Sequence, residues 1–249
     1  MKTFSSIVIT GASSGIGEAL ALDYAVPGAA LALTGRDAGR LESVAAACRA
    51  KGATVRAATI DVVDREGLAA WLHDFDDAHP VDLVIANAGI SIDKDNSSLD
   101  DFSIIRKTMD VNIGGVLNTV EPVLPRMMAR GRGQVAVVSS LASFIGLPYS
   151  ASYNASKAAV RVWGESIRYV LKKSGIGVSV VCPGFVVSRM TAEAPFPMPF
   201  LMTSARASAI IRRGLAHNHA RIAFPLGTKA AVWLGSTLPG RLTARLLGA

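Results

Sequence analysis

The chain has 249 residues, half of them hydrophobic and 18% charged, which suits one domain with a large core and excludes a disordered or low-complexity protein. Its two cysteines, Cys48 and Cys182, stand far apart with no framework around them, which excludes a disulfide scaffold and fits a reducing, cytoplasmic setting. The net charge of +7 is uneven, because residues 1–193 carry 19 basic and 19 acidic side chains whereas residues 194–249 carry seven basic and no acidic ones.

The first apolar run, 5–10, leads straight into Thr10-Gly11-Ala12-Ser13-Ser14-Gly15-Ile16-Gly17 and a helix predicted at 15–26, so it reads as a strand rather than a signal peptide. Glycines there let the backbone turn sharply and approach a pyrophosphate, and the helix N-terminus offers free N–H groups and partial positive charge. The next strand, 29–34, ends at Gly35-Arg36. An acid at that place would bind the 2′-hydroxyl of NAD, whereas a guanidinium suits a 2′-phosphate. Asp37 follows and complicates this reading.

A helix at 37–51, a strand at 54–60 ending near Asp61 and Val62, and a helix at 64–78 come next. The strand at 81–86 is capped by Asn87-Ala88-Gly89. A long helical region, 99–130, in one or two parts, carries Asn112 and precedes the strand 133–139, which ends at Ser140. The helix 151–174 opens with Tyr153-Asn-Ala-Ser-Lys157, which places phenol and ammonium on one face. A strand at 176–182, an irregular Pro-rich loop at 194–202, a helix at 203–217 and a strand at 221–224 complete the alternation. The pattern predicts a single-domain, Rossmann-type α/β fold: a doubly wound parallel sheet of about seven strands with helices on both faces. Ligands in such folds bind beyond the carboxyl ends of the strands, where the polar residues above converge.

These motifs occur in order between residue 4 and about residue 190, and with them the sequence resembles the short-chain dehydrogenase/reductase family: TGASSGIG at 10–17, Asp61-Val62, NAG at 87–89, Asn112 in VNIGG, Ser140 in VVSS, YNASK at 153–157 and PGFVVS at 183–188. The resemblance implies an active site of Asn112, Ser140, Tyr153 and Lys157. Tyr153 would be the acid/base, Ser140 would hold the substrate oxygen, Lys157 would bind the nicotinamide ribose and depress the Tyr153 pKa, and Asn112 would hold a water in a proton relay. Gly11, Ser13, Ser14, Gly15, Ile16 and Gly17 would cradle the pyrophosphate. Asp61 and Val62, with Asn87, Ala88 and Gly89, would border the adenosine side. Pro183, Gly184, Val186 and Ser188 would border the nicotinamide end, and Arg36 would favour NADP(H).

The expected function is hydride transfer between NADP(H) and a carbonyl or alcohol, with a non-catalytic dinucleotide-binding sensor as the alternative. The segment 189–215 would form a lid, and its Phe196, Met198, Phe200, Leu201 and Met202 suggest an apolar substrate. Trp71, Trp163 and Trp233 read as core or interface residues. No metal site is expected, since His217 and His219 lack further ligands at suitable spacing. No nucleic-acid motif accompanies the basic excess. Ser188 stands where the family often has Thr, and an extra apolar, basic segment, 226–249, follows the last strand. That segment leaves the usual assembly through the last strand open, although a homo-oligomer, dimer or tetramer, is expected. A helix starting near Pro239 would place Arg241 and Arg245 on one face and Leu242 and Leu246 on another. The segment either lies on the inner face of an anionic membrane or packs on the protein body or a second subunit.

Overall fold

In a computed structural model, residues 1–91, 101–147, 150–192, 198–238 and 241 are described. Seven parallel strands form one sheet in the order β3-β2-β1-β4-β5-β6-β7. They are β1 (Ser6–Thr10), β2 (Ala30–Thr34), β3 (Thr54–Ala58), β4 (Leu83–Ala86), β5 (Gly133–Val138), β6 (Ile176–Pro183) and β7 (Arg221–Phe224). The central strands are apolar runs because they are covered on both sides. Ile7 and Ile9 enter one core while Val8 enters the other, and Leu31 and Leu33 are likewise split from Ala32. This is the two-residue alternation of a strand with both sides hydrophobic.

The first core is closed by α1 (Gly15–Tyr24), α2 (Ala38–Ala50) and α9 (Ser204–Ala216), through Leu20, Leu41, Val44, Ile211 and Leu215. The second is closed by α3 (Arg65–Ala78) and by the helices between β4 and β6. The predicted region 99–130 is broken into α4 (Phe102–Met109), a π-turn at Asp110–Gly114, α5 (Gly115–Val120) and α6 (Leu124–Arg130). Pro125 near the start of α6 and the left-handed Gly131 at its end set its limits. The long α7 (Ala151–Leu171) follows β5. A short α8 (Arg189–Ala192) lies after β6.

Past β7 the chain forms a helix not anticipated there, α10 (Leu226–Thr237). Val232 of α10 packs against the second core, and Gly235 faces Ile145 closely enough that an added Cβ would lie 3.1 Å from its Cδ1. This part of the extra segment therefore rests on the protein body. The helix expected from Pro239, with Leu242, Arg245 and Leu246, lies outside the described residues, as does Phe196 of the lid. Trp71 and Trp163 pack on the second core, whereas Trp233 on α10 is 67% exposed, which is not core and leaves the interface expectation for it. No helix among the described residues is long and apolar enough to cross a membrane.

Candidate active site

The sheet order reverses at β1, which pairs with β2 on one side and β4 on the other, so a crevice opens beyond their carboxyl ends. The turn from β1 into α1 fills one wall of it. Gly11 has φ +67°, and a Cβ there would meet the Ala88 Cα at 2.9 Å. At Gly17 a Cβ would meet the Gly11 carbonyl oxygen at 2.2 Å, so only glycine lets the helix start this close to the strand end. Ser14 is the N-cap of α1, yet its side chain makes no capping bond. The Gly15 position faces Ser188, whose β-carbon would lie 3.1 Å from an added Cβ, so the Gly-rich turn and the segment after β6 meet across the crevice. A narrow backbone cradle at a helix N-terminus fits a pyrophosphate.

At the end of β2, Gly35 packs on Ser13, and Arg36 is exposed with no ion pair among the described residues. Asp37 is engaged elsewhere. It caps α2 by accepting from the Arg40 N–H at 2.9 Å and pairs with the Arg40 guanidinium at 2.8 Å.

The opposite wall comes from β4, the π-turn, β5 and α7. Asn112 is fully buried. Its Nδ2 donates to the Ile90 carbonyl and to Ser156 Oγ, both at 2.9 Å, and its Oδ1 accepts from the Ile90 N–H at 2.8 Å. Ser140 caps the 3-10 turn Leu141–Phe144, accepting from the Ala142 N–H at 3.1 Å. The hydroxyls of Ser140 and Tyr153 are hydrogen-bonded. Lys157, one helical turn beyond Tyr153, is 3% exposed. Its Nζ donates to the Val138 carbonyl at 2.9 Å and lies 5.8 Å from the centre of the Tyr153 ring. All four side chains predicted to be catalytic thus converge on one crevice with the Gly-rich turn.

The sequence profile of the short chain dehydrogenase family matches residues 5–196. The chain belongs to that family. As a short-chain dehydrogenase it is an oxidoreductase of alcohol or carbonyl groups. It is 35% identical over 241 residues to an uncharacterized oxidoreductase of Myxococcus xanthus, covering 96% of this chain and 95% of the relative. Among solved structures, a short-chain dehydrogenase from Sphingobium yanoikuyae in complex with NADPH is similar at TM-score 0.81 and 25% identity, over 94% of this chain and 96% of the other. A short chain dehydrogenase from Mycobacterium paratuberculosis bound to NAD shares the fold at TM-score 0.80 and 24% identity, over 90% and 97%.

Within this short-chain dehydrogenase the electrostatics differ from expectation. Burial pushes the Tyr153 phenol above its usual range, and the Ser140 hydrogen bond only partly opposes this. Burial also lowers Lys157 to about 8. The ammonium was expected to depress the phenol, but burial outweighs any such effect in this structure. A lysine that loses its proton near pH 8 carries little charge at the higher pH where the phenol ionises.

Several predicted cofactor contacts are turned inward. Asn87 Nδ2 donates to the Thr10 and Gly11 carbonyls at 2.9 and 3.2 Å, tying β4 to the Gly-rich turn. The Val62 side chain presses on Gly115, and Val186 is buried beside Met202. Met202 itself belongs to the first core rather than to the mouth of the site. The sequence reading missed Thr10, whose Oγ1 accepts from the Asn87 and Ala88 N–H groups, and Ser139, whose Oγ donates to the Lys157 carbonyl at 2.7 Å. It also missed Ser156, which links Asn112 to α7. Their one signal is a hydroxyl beside or within a motif already singled out.

Proposed function

We propose that this protein is an NADP(H)-dependent carbonyl reductase/alcohol dehydrogenase acting on an apolar ketone, aldehyde or oxoacyl substrate. The observation that carries this is the hydrogen-bonded Ser140–Tyr153 hydroxyl pair above a buried Lys157, in the same crevice as the Gly-rich turn. A dinucleotide-binding sensor has no need of such a pair.

Bound in the reduced state, the nicotinamide cofactor supplies a hydride. The chain's residues do the rest. Ser140 Oγ donates a hydrogen bond to the carbonyl oxygen and steadies its developing charge. Tyr153 gives that oxygen its proton, or takes it back in the alcohol direction. Lys157 binds the ribose hydroxyls next to the nicotinamide. The Asn112 amide is already engaged with Ile90 and Ser156, so a relay water there has to use the second Oδ1 lone pair or a main-chain group.

Gly11, Ser13, Ser14, Gly15, Ile16 and Gly17 hold the pyrophosphate, and Arg36 holds the 2′-phosphate. Asp61 contacts adenine, with the Val62 main chain beside it. Asn87 shapes the adenosine side by fixing the turn, next to Ala88 and Gly89. Pro183, Gly184, Val186 and Ser188 border the nicotinamide. Apolar side chains on the segment after β6 are exposed, namely Val187, Met190, Phe200 and Leu201, and they favour an apolar substrate. The test is NADPH oxidation over ketones and aldehydes of graded chain length. Turnover should rise with apolar chain length; a protein that binds NADPH but oxidises it with no member of the panel would be a sensor.

A homo-oligomer is supported by the outer face of α7, where Val162, Tyr169 and Val170 are 51%, 79% and 71% exposed. Light scattering should give at least twice the chain mass, and Tyr169→Glu with Val170→Glu should reduce it to one.

A peripheral membrane contact has a specific observation in its favour. The outer face of α10 presents Leu226, Lys229, Trp233 and Leu234, all exposed, and no acid occurs from 194 to 249. Exposed Phe200 lies against Gly227, so the apolar area continues onto the segment after β6. Aromatic and apolar side chains enter a headgroup layer, and each nearby cation adds about 1 kcal/mol on an anionic surface. Anionic vesicles at low salt should retain the protein in sedimentation, and Trp233→Glu should release it. Equal retention of both proteins, or of neither, would leave α10 as a packing element of the body or of a second subunit.

A further inference from the structure

The helix that carries Tyr153 and Lys157 continues, at the same four-residue spacing, with Arg161 and Glu165. These share a face of α7, drifting slowly round it. Arg161 does not reach the crevice. Its guanidinium lies over the ring of Phe144, 4.3 Å from the ring centre, and its Nη2 donates to the Ser143 carbonyl at 3.4 Å. Arg221, the first residue of β7, lies against the same ring at 5.1 Å. Glu165 holds both guanidiniums: its Oε2 is 3.2 Å from Arg161 Nη1, and its Oε1 accepts from Arg221 Nε at 2.8 Å. The Arg161 and Glu165 side chains are only 18% and 26% exposed, so solvent screens that pair weakly, whereas Arg221 is 45% exposed.

Phe144 ends the turn that Ser140 begins, and the Ser140 hydroxyl takes its orientation from the Ala142 N–H inside that turn. The path from cluster to chemistry is therefore short. Glu165 fixes the two guanidiniums, these fix the Phe144 ring and the Ser143 carbonyl, and the turn fixes Ser140 relative to Tyr153.

We propose that Arg161, Glu165 and Arg221 are positioning residues that clamp the Leu141–Phe144 turn through the face of Phe144, and so set the Ser140–Tyr153 geometry for carbonyl reduction. This rests on the reductase reading given above. A guanidinium recognises the face of an aromatic ring by charge and planarity, so the clamp needs a ring at position 144 and not merely an apolar filler. A displacement of about 1 Å at reacting groups costs on the order of 10²-fold in rate.

The experiment compares Arg161→Met, Phe144→Leu and Phe144→Tyr with the parent protein. Each is assayed for NADPH binding by fluorescence, for kcat and KM on the best ketone of the panel, and for amide hydrogen exchange in residues 140–145. Arg161→Met and Phe144→Leu should lower kcat by about 10–100-fold, with NADPH affinity within about twofold. Exchange should quicken in residues 140–145 and stay unchanged in the strands. Phe144→Tyr keeps the ring face and should restore kcat to near the parent value. Equal kcat for the Leu and Tyr variants would overturn the clamp, as would loss of NADPH binding in step with kcat, which marks general unfolding. If the parent protein reduces no ketone, the reductase reading fails, and the exchange data alone then decide: unchanged exchange in 140–145 would overturn the clamp as well.

Discussion

Tyr153→Phe should lower ketone turnover by about 10²–10⁴-fold, the contribution of a positioned acid/base group, while NADPH still binds. The variant keeps the ring that packs beside Lys157 and removes only the hydroxyl that bonds to Ser140. Burial raises the phenol pKa, so the free enzyme holds Tyr153 protonated at neutral pH. That is the form required to donate to a carbonyl oxygen. Lys157→Ala should damage both NADPH affinity and turnover if the ammonium that lies over the Tyr153 ring also holds the ribose, as proposed. Its pKa of about 8 in the free protein adds a check that needs no turnover. Above pH 8 the free lysine is largely neutral, and a bound polyanion favours its charged form. Binding of NADPH near pH 9 should therefore take up a proton, seen as a dependence of the calorimetric heat on the buffer's ionisation enthalpy, and Lys157→Ala should abolish it. A Tyr153→Phe variant with ordinary turnover would refute the acid/base assignment.

The features that position this site differ in how far they can be read from sequence, and the difference is one of range. The central strands were legible because each is a short apolar run between turn residues, and because burial on both sides leaves few polar interruptions to confuse the pattern. The candidate catalytic side chains stood out as motifs, Ser140 just past β5, Asn112 in the helical region before it, and Tyr153 and Lys157 at the start of α7. The inward turn of Asn87 was not legible, since its partners, the Thr10 and Gly11 carbonyls, lie 77 and 76 residues away in sequence. Phe144, Arg161 and Arg221 gave no local sign of meeting, because only the neighbouring positions of β5, β6 and β7 bring them together. The helix α10 escaped notice for another reason. Its sequence, LGTKAAVWLGST, includes two glycines and presents large apolar residues outward, so it lacks the one-sided stripe that marks a helix packed on a core.

Arg36→Ala should weaken NADPH binding by about 10–150-fold, the equivalent of one charge-assisted hydrogen bond of roughly 1.5–3 kcal/mol, and leave NADH nearly unchanged. The neighbouring acid was the objection to this reading, since an unpaired carboxylate at the end of β2 would repel a 2′-phosphate and welcome a 2′-hydroxyl. Here the Asp37 carboxylate caps α2 and pairs with Arg40, so its charge is locally offset. Arg36, by contrast, is exposed, next to a Gly35 that packs on Ser13 of the Gly-rich turn. An exposed guanidinium is screened by salt, so the preference should shrink as ionic strength rises. Asp37→Ala provides the control. It removes the α2 cap and releases Arg40, so it should cost helix stability while sharpening the preference for NADPH. Measured dissociation constants for both cofactors decide the matter: equal losses for NADPH and NADH in Arg36→Ala would mean that Arg36 shapes the turn and does not read the phosphate.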